Sequence, residues 1–288
     1  MKANLRMKLI VGCGYLGSEL ARAWRAEGHA VTAWVRTPAR RAALEQLGAA
    51  VWVQDLYGLE KWPEPVRFDT IVFAVSFSSG AIHTGHVPAL ERLMDSCATM
   101  PRRFIYISST GVYGDDKPWV DESSPCAPRR TTSRWCWEAE QFLGRSPVAS
   151  GLIVLRMAGL YGPGRVPRLE DLRQQRPLAA DPDGWLNLIH LYDAVQVVLA
   201  AEQSAPVPRV YNVADGHPVR RRDFLEEVAR VFHTPPPRFI APDPDDPRQA
   251  RSLASRRVSI QRLQQELAVR FRYPSYREGL AAIAQRDG

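Results

Sequence analysis

No lysine follows Lys117 in this 288-residue chain. Every permanent cation beyond that point is an arginine, so chemistry that needs a lysine amine in the second half is excluded. The four cysteines, Cys13, Cys97, Cys126 and Cys136, show no CxxC spacing, which argues against a disulfide framework or a thiolate metal site. The six histidines form no HExxH pattern. His83 and His86 stand three apart, but no matching ligands flank them, so no metal centre is expected. No apolar run reaches the roughly 18–20 residues a spanning helix needs. The opening Met1–Met7 lacks the apolar stretch and cleavage site of a signal peptide. These absences predict a cytoplasmic protein with no membrane partner. The net charge of +7 comes from scattered arginines. Clusters such as Arg220–Arg222 and Arg256–Arg257 are not interleaved with aromatics, so they read as solvated surface and no nucleic-acid partner is expected.

What is present is an alternation. Near-continuous apolar runs at Lys8–Val11, Ala30–Val35, Ala50–Val53, Thr70–Val75, Arg103–Ser108, Leu152–Leu155 and Val210–Val213 read as strands. Helical patterns separate them: Tyr15–Glu27, with Leu16, Leu20 and Trp24 on one face, then Arg40–Leu47, Val87–Cys97, Arg134–Leu143 and Ala194–Ala201. Buried strands alternating with helices predict an α/β fold, a Rossmann-type doubly wound parallel sheet. Beyond Gly159 the alternation loosens. Proline-rich pieces at Pro235–Pro237 and Ala241–Pro247 separate the helical patterns Arg222–Phe232 and Ser259–Leu267. The predicted organisation is a dinucleotide-binding domain over 1–158, with 187–214 returning to it. A small C-terminal substrate lobe is expected from 159–186 and 215–288.

The turn after the first strand reads Gly12-Cys-Gly14-Tyr15-Leu16-Gly17. GxGxxG between a strand and a helix is a dinucleotide fingerprint. Gly12 permits the tight turn, Gly14 lets a pyrophosphate reach the backbone, and Gly17 allows close helix–strand packing. The helix start at Tyr15 and Leu16 offers N–H groups to the anion. Where an NAD site would carry a carboxylate at the end of the second strand, this chain has Arg36, with Arg40 and Arg41 following. An arginine there suits a 2′-phosphate, so NADP is favoured over NAD. Asp55 and Leu56, after the third strand, are placed to contact adenine. Ala74, Val75 and Ser76, ending the fourth, are placed to line the inner face of the cofactor.

From this point the residues resemble the extended short-chain dehydrogenase/reductase superfamily, in its NAD-dependent epimerase/dehydratase group. Phe104–Gly114, Val120–Glu122, Leu155–Gly164, Asn187–Asp193, Tyr211–Val213 and Tyr273–Leu280 carry the resemblance. It implies a Ser/Thr hydroxyl that orients a substrate oxygen, here Ser109 with Thr110. It also implies a Tyr-x-x-x-Lys pair whose lysine tunes the tyrosine. Aligned on Glu140–Leu143, that pair falls on Thr132 and Cys136. Tyr113 and Lys117 spell the same spacing by accident, because Gly114 and Pro118 argue against the helix that would put them on one face. A second departure is Gly159, where many sugar-nucleotide relatives carry asparagine. Both departures bring the chain closer to an atypical, YeeZ-like branch.

The resemblance implies a small polar or nucleotide-linked substrate met by Arg165, Asn187 and His190, with Asp193 buttressing the helix that follows. It also allows a homodimer. Thr132 is a poor proton donor and Cys136 reads as an inert helix cysteine, while Trp135 and Trp137 read as packing residues. Two readings stand: an oxidoreductase or epimerase with a degenerate catalytic set, or a non-catalytic NADP-binding redox or metabolite sensor acting through a protein partner.

Overall fold

The computed structural model describes residues 6–58, 67–76, 84–114, 118–243 and 254–287. His83, Lys117 and most of the proline-rich stretch before 254 lie outside the described residues. The chain forms two compact units. The first comprises Met1–Ser109, Thr131–Arg156 and Val197–Tyr211, and the second Thr110–Arg130, Met157–Gln196 and Asn212–Gly288.

The first unit is built on β1 (Met7–Val11), α1 (Tyr15–Ala26), β2 (Ala30–Val35), α2 (Arg41–Gln46), β3 (Ala50–Val53), β4 (Thr70–Phe73), α3 (Val87–Asp95), β5 (Arg103–Ser109) and α4 (Thr131–Leu143). A seven-stranded sheet runs in the order Arg209–Val213, Leu152–Met157, β5, β4, β1, β2, β3. β1 pairs in parallel with both β2 and β4, and the parallel register continues to β3 on one side and β5 on the other. The chain therefore reverses its direction of progress between β1 and β4, the switch point at which open α/β sheets bind ligands beyond the strand ends.

Burial on both faces explains the unbroken apolar strands. Leu9, Ile10 and Val11 are all buried, and Leu16, Leu20 and Trp24 on α1 cover one side of the sheet. Lys8 is the exception within β1. It is fully buried and ion-paired to Glu202, whose carboxylate also accepts the Thr70 hydroxyl at 2.7 Å and the Trp24 indole N–H at 3.2 Å. A buried ammonium survives only with such satisfaction.

Several boundaries differ from the sequence reading, and two of them bear on the site. β4 stops at Phe73, although the Ala74 N–H still donates to the Val11 carbonyl at 2.8 Å. α4 starts at Thr131, not Arg134, so that Thr132 and Cys136 share one helix. Its first turn is polar, which hid the start from a pattern based on apolar spacing.

The second unit pairs short strands: Gly159–Tyr161 with Leu188–His190, Trp185–Leu186 with Val219–Arg220, Leu178–Ala179 with Phe239–Ile240, and Trp119–Val120 with Arg257–Val258. Helices Leu169–Arg173, Arg221–Val231, Gln261–Leu267 and Tyr276–Asp287 complete it. Tyr161, Leu172, Leu178, Phe224, Val228, Leu280 and Ile283 form its core. Strands of two or three residues are too short to show a period of two, so none was legible in the sequence.

Candidate functional site

The C-terminal ends of β1 to β5 bring the expected cofactor segments to one edge of the sheet. The N–H groups of Gly12 and Cys13 both donate to the Trp34 carbonyl at 3.0 Å, which joins the glycine turn to the end of β2. The Trp34 indole N–H donates to the Gln54 carbonyl at 2.8 Å, joining β2 to the residue before Asp55. A Cβ on Gly12, whose φ is +82°, would lie 2.7 Å from the Val75 backbone, so the turn packs directly on the Ala74–Val75 segment.

The three glycines have three separate reasons. Gly12 needs both its left-handed φ and the absence of a Cβ. At Gly17 a Cβ would meet the Ile10 side chain at 2.9 Å, so this glycine lets α1 pack close on β1. At Gly14 a Cβ would meet nothing nearer than the Gly12 carbonyl oxygen at 3.8 Å, although the Gly14 N–H donates to that oxygen at 2.7 Å. No side chain caps α1 and its first turn holds no acid. An uncapped helix start beside an open glycine fits a pyrophosphate. Cys13, inside the turn, is buried and its thiol is pushed up to about 12 by desolvation, so it is unreactive.

Arg36 is exposed at the end of β2, and Arg40 and Arg41 are exposed on the turn that follows. Arg41 is drawn to Glu45 at 2.8 Å along α2. The Asp55 carboxylate accepts the Tyr57 N–H at 3.1 Å, shaping the turn after β3, and Leu56 is buried there. Ala74 and Val75 are half-buried and Ser76 is exposed.

At the end of β5, Ser108 and Ser109 point to opposite faces by the strand's alternation. Ser109 and Thr110 are half-buried. Ser108 is buried, and its hydroxyl donates to Glu140 Oε1 at 2.5 Å. The guanidinium of Arg156 holds the same carboxylate, with Nη2 2.6 Å from Oε2 and Nε 3.1 Å from both oxygens. This Ser108–Glu140–Arg156 knot was not foreseen. Its signal was a glutamate on the apolar face of α4, four residues beyond Cys136 and eight beyond Thr132.

Cys136, on which the sequence alignment places the lysine position, is buried and hydrogen-bonded to the Tyr106 hydroxyl. That hydroxyl also meets His86 Nδ1 at 2.7 Å. Complete burial raises the tyrosine well above its usual range, and burial lowers His86 to about 3. Thr132, on which the alignment places the tyrosine position, is half-buried. The Trp135 ring packs against Gly85, and Arg156 lies over the Trp137 ring at 5.7 Å.

In the second unit, Tyr113 is buried and donates its hydroxyl to Asn212 Oδ1 at 2.8 Å, a structural role. Asn187 has both ends of its amide engaged: Nδ2 donates to the Arg256 carbonyl at 2.9 Å and Oδ1 accepts the Val258 N–H at 2.8 Å. His190 is buried among Tyr161, Tyr192 and Tyr273, with ring centroids 5.2, 5.2 and 4.0 Å away. Desolvation and the nearby Arg272 and Arg286 lower its pKa to about 4, so the ring is neutral at pH 7. Arg165 is exposed beyond Tyr161. Asp193, in the first turn of the helix Leu191–Ser204, accepts the Arg272 and Tyr273 N–H groups at 2.7 and 2.9 Å and so also clamps the C-terminal segment. A Cβ at Gly159 would sit 3.0 Å from the Asn187 carbonyl, which explains the glycine there. Among the described residues no three histidine, cysteine or acidic side chains cluster as for a metal.

Residues 9–214 match the family model described as the NAD dependent epimerase/dehydratase family. Protein YeeZ of Escherichia coli (strain K12) is 32% identical over 243 residues, covering 80% of this chain and 85% of that protein. A functionally unknown conserved protein from Silicibacter pomeroyi DSS superposes with a TM-score of 0.79 at 31% identity, over 98% of this chain and 99% of that one. MoeE5, solved in complex with UDP-glucose and NAD, has a TM-score of 0.78 at 20% identity over 97% of each chain, a likeness of fold alone.

Proposed function

This chain belongs to the NAD dependent epimerase/dehydratase family, and we propose that it is an NADP-preferring oxidoreductase or epimerase with a reduced catalytic set, acting on a small polar or nucleotide-linked substrate. The observation that carries this reading is the strand-end edge: a glycine turn packed on Val75, an open Gly14, an uncapped α1, and an arginine, Arg36, where an NAD site would hold a carboxylate.

When bound, the dinucleotide supplies hydride transfer. The chain's own residues supply the rest. Gly14 and the α1 start receive the pyrophosphate, Arg36 meets the 2′-phosphate, and Ala74–Ser76 border the inner face. Ser109 is the hydroxyl that orients a substrate oxygen, with Thr110 beside it. Thr132 replaces the tyrosine that would move a proton. Losing such a general acid costs about 10²- to 10⁴-fold in rate, so turnover is slow unless the substrate brings its own donor. Cys136 gives no substitute for the lysine, since its thiol is committed inward to Tyr106.

The inward turn of Cys136 also favours the second reading, a non-catalytic sensor of the dinucleotide's redox state. Calorimetric titration of the wild type and Arg36→Ala with NADPH, NADP⁺ and NADH tests both. NADPH should bind more tightly than NADH, and Arg36→Ala should cost about tenfold or more for NADPH only. Equal affinities in the wild type would overturn the NADP assignment. A carbonyl substrate that consumes bound NADPH selects the enzyme. A large NADPH/NADP⁺ affinity difference without turnover selects the sensor, because a ligand shifts a state only through differential binding.

A further inference from the structure

We propose that the second unit carries an oxyanion-binding groove, independent of the dinucleotide edge, that takes a small phosphate- or carboxylate-bearing molecule. The groove has a volume of about 650 Å³, and Trp185, His217, Arg220, Asp223, Tyr276 and Arg277 line it. That size suits a small-molecule site.

Its anchor is Arg220. The guanidinium stacks on the Trp185 ring at 3.9 Å and is held at one edge by the Asp183 carbonyl. Arg257 also lies against the Trp185 ring at 4.9 Å, and in turn sits over Trp119 at 4.8 Å. The strand registers make this ladder: Trp185 is opposite Arg220, and Trp119 is opposite Arg257. Two cross-strand pairs are thereby joined into one alternating Trp–Arg–Trp–Arg stack. Arg220 has no carboxylate partner among the described residues. A stacked, edge-pinned guanidinium has already lost its rotamer freedom, and its remaining donors form a fixed fork suited to an oxyanion.

A second guanidinium faces the same groove. Arg277 lies over the Tyr276 ring at 4.8 Å. Two acids, Asp223 and Glu278, share the groove, and Arg277 feels the charges of Glu278 and Glu227, so Arg220 is the less offset of the two guanidiniums. Glu278 is occupied at the start of the helix Tyr276–Asp287, where its Oε2 accepts the Ser275 N–H at 3.0 Å and the Ser275 hydroxyl at 2.5 Å. Asp223 is exposed in the first turn of Arg221–Val231, where the helix start offsets its charge. Tyr276 forms part of the groove wall while most of its side chain is buried in the core of the unit.

The test titrates the full chain at constant ionic strength with inorganic phosphate and, separately, with malonate, following the arginine Nε–Hε signals by NMR. Arg220→Gln and Arg277→Gln assign those signals, and circular dichroism checks that both variants fold. Saturable shifts of the Arg220 and Arg277 signals are expected with at least one probe. The preferred probe tells a phosphate ester from a carboxylate as the natural group. Arg220→Gln should weaken binding about tenfold or more, and Arg220→Lys should not restore it, because an ammonium lacks the fork. Absence of a saturable shift with both probes, or unchanged affinity in the doubly substituted protein, would overturn the proposal.

Discussion

Substituting Glu140 tests whether the knot behind Ser109 holds β5 and α4 together. Arg156 is 4% exposed and Glu140 6% exposed, so neither charge has water to fall back on. Glu140→Gln keeps the shape and removes the negative charge, leaving the guanidinium buried against a neutral amide. Breaking a buried pair in this way costs about 3–5 kcal/mol. For a chain of this size, about 2 °C per kcal/mol gives a fall in Tm of about 6–10 °C. The variant should still fold, since that loss is smaller than a typical total stability of about 5–15 kcal/mol. The informative measurement is a double-mutant cycle by urea unfolding with Glu140→Gln, Arg156→Met and the pair together. Each single substitution leaves one buried charge, and the double leaves none, so the double should cost clearly less than the sum. Additive losses, or a Glu140→Gln cost below about 1 kcal/mol, would refute the claim that the pair is desolvated and mutually dependent.

Three further outcomes follow from particular residues. Gly12→Ala should lower stability and abolish dinucleotide binding together, since its Cβ would press on the Val75 backbone at 2.7 Å. Gly14→Ala should leave the stability of the free protein within about 1 kcal/mol of wild type yet still lose binding, because its Cβ meets only open space until a ligand arrives. Undiminished affinity in Gly14→Ala, measured by calorimetry, would remove that glycine from the site. Asp215 is 3% exposed, and burial pushes its carboxyl up to about 7 although one oxygen accepts the His217 N–H at 2.9 Å. A carboxyl raised in the folded state holds its proton more tightly there than in the unfolded chain. Its penalty is therefore absent below about pH 4 and grows as pH rises towards 7. Asp215→Asn should accordingly be more stable than wild type at pH 8, with the gap closing towards pH 4 in urea midpoints. A gap independent of pH would contradict the assignment.

What could be read from the sequence was local. The glycine turn, α1 with its Leu16–Leu20–Trp24 face, and the five strands that deliver Gly12, Arg36, Asp55, Ala74 and Ser109 each depend on backbone conformation and nearest neighbours in the chain. A period of two or 3.6, or a glycine at a set spacing, writes such features into a dozen residues. That Thr132 and Cys136 share one helix follows from the same local reasoning, since the four-residue spacing lies within α4. The start of α4 was missed by three residues because its first turn carries no apolar signal.

The side-chain contacts around α4 were not legible, and the cause is distance along the chain. Ser108 meets Glu140 across 32 residues, and Glu140 meets Arg156 across 16. The Tyr106 and His86 side chains meet across 20. In the second unit, Trp185 and Arg220 become neighbours only through a two-residue strand pair, and Trp119 and Arg257 through another. A lone arginine in an arginine-rich chain looks like solvated surface until its stacking partner is known. The dinucleotide edge is made by backbone and can be recognised by pattern. The groups that decide whether a proton moves, and which anion is held elsewhere, are side chains assembled from separate segments. For this chain the family therefore fixes the cofactor class more firmly than the reaction: the glycine turn is intact, while the proposal of a reduced catalytic set rests on the alignment of Thr132 and Cys136 with the acid–base positions.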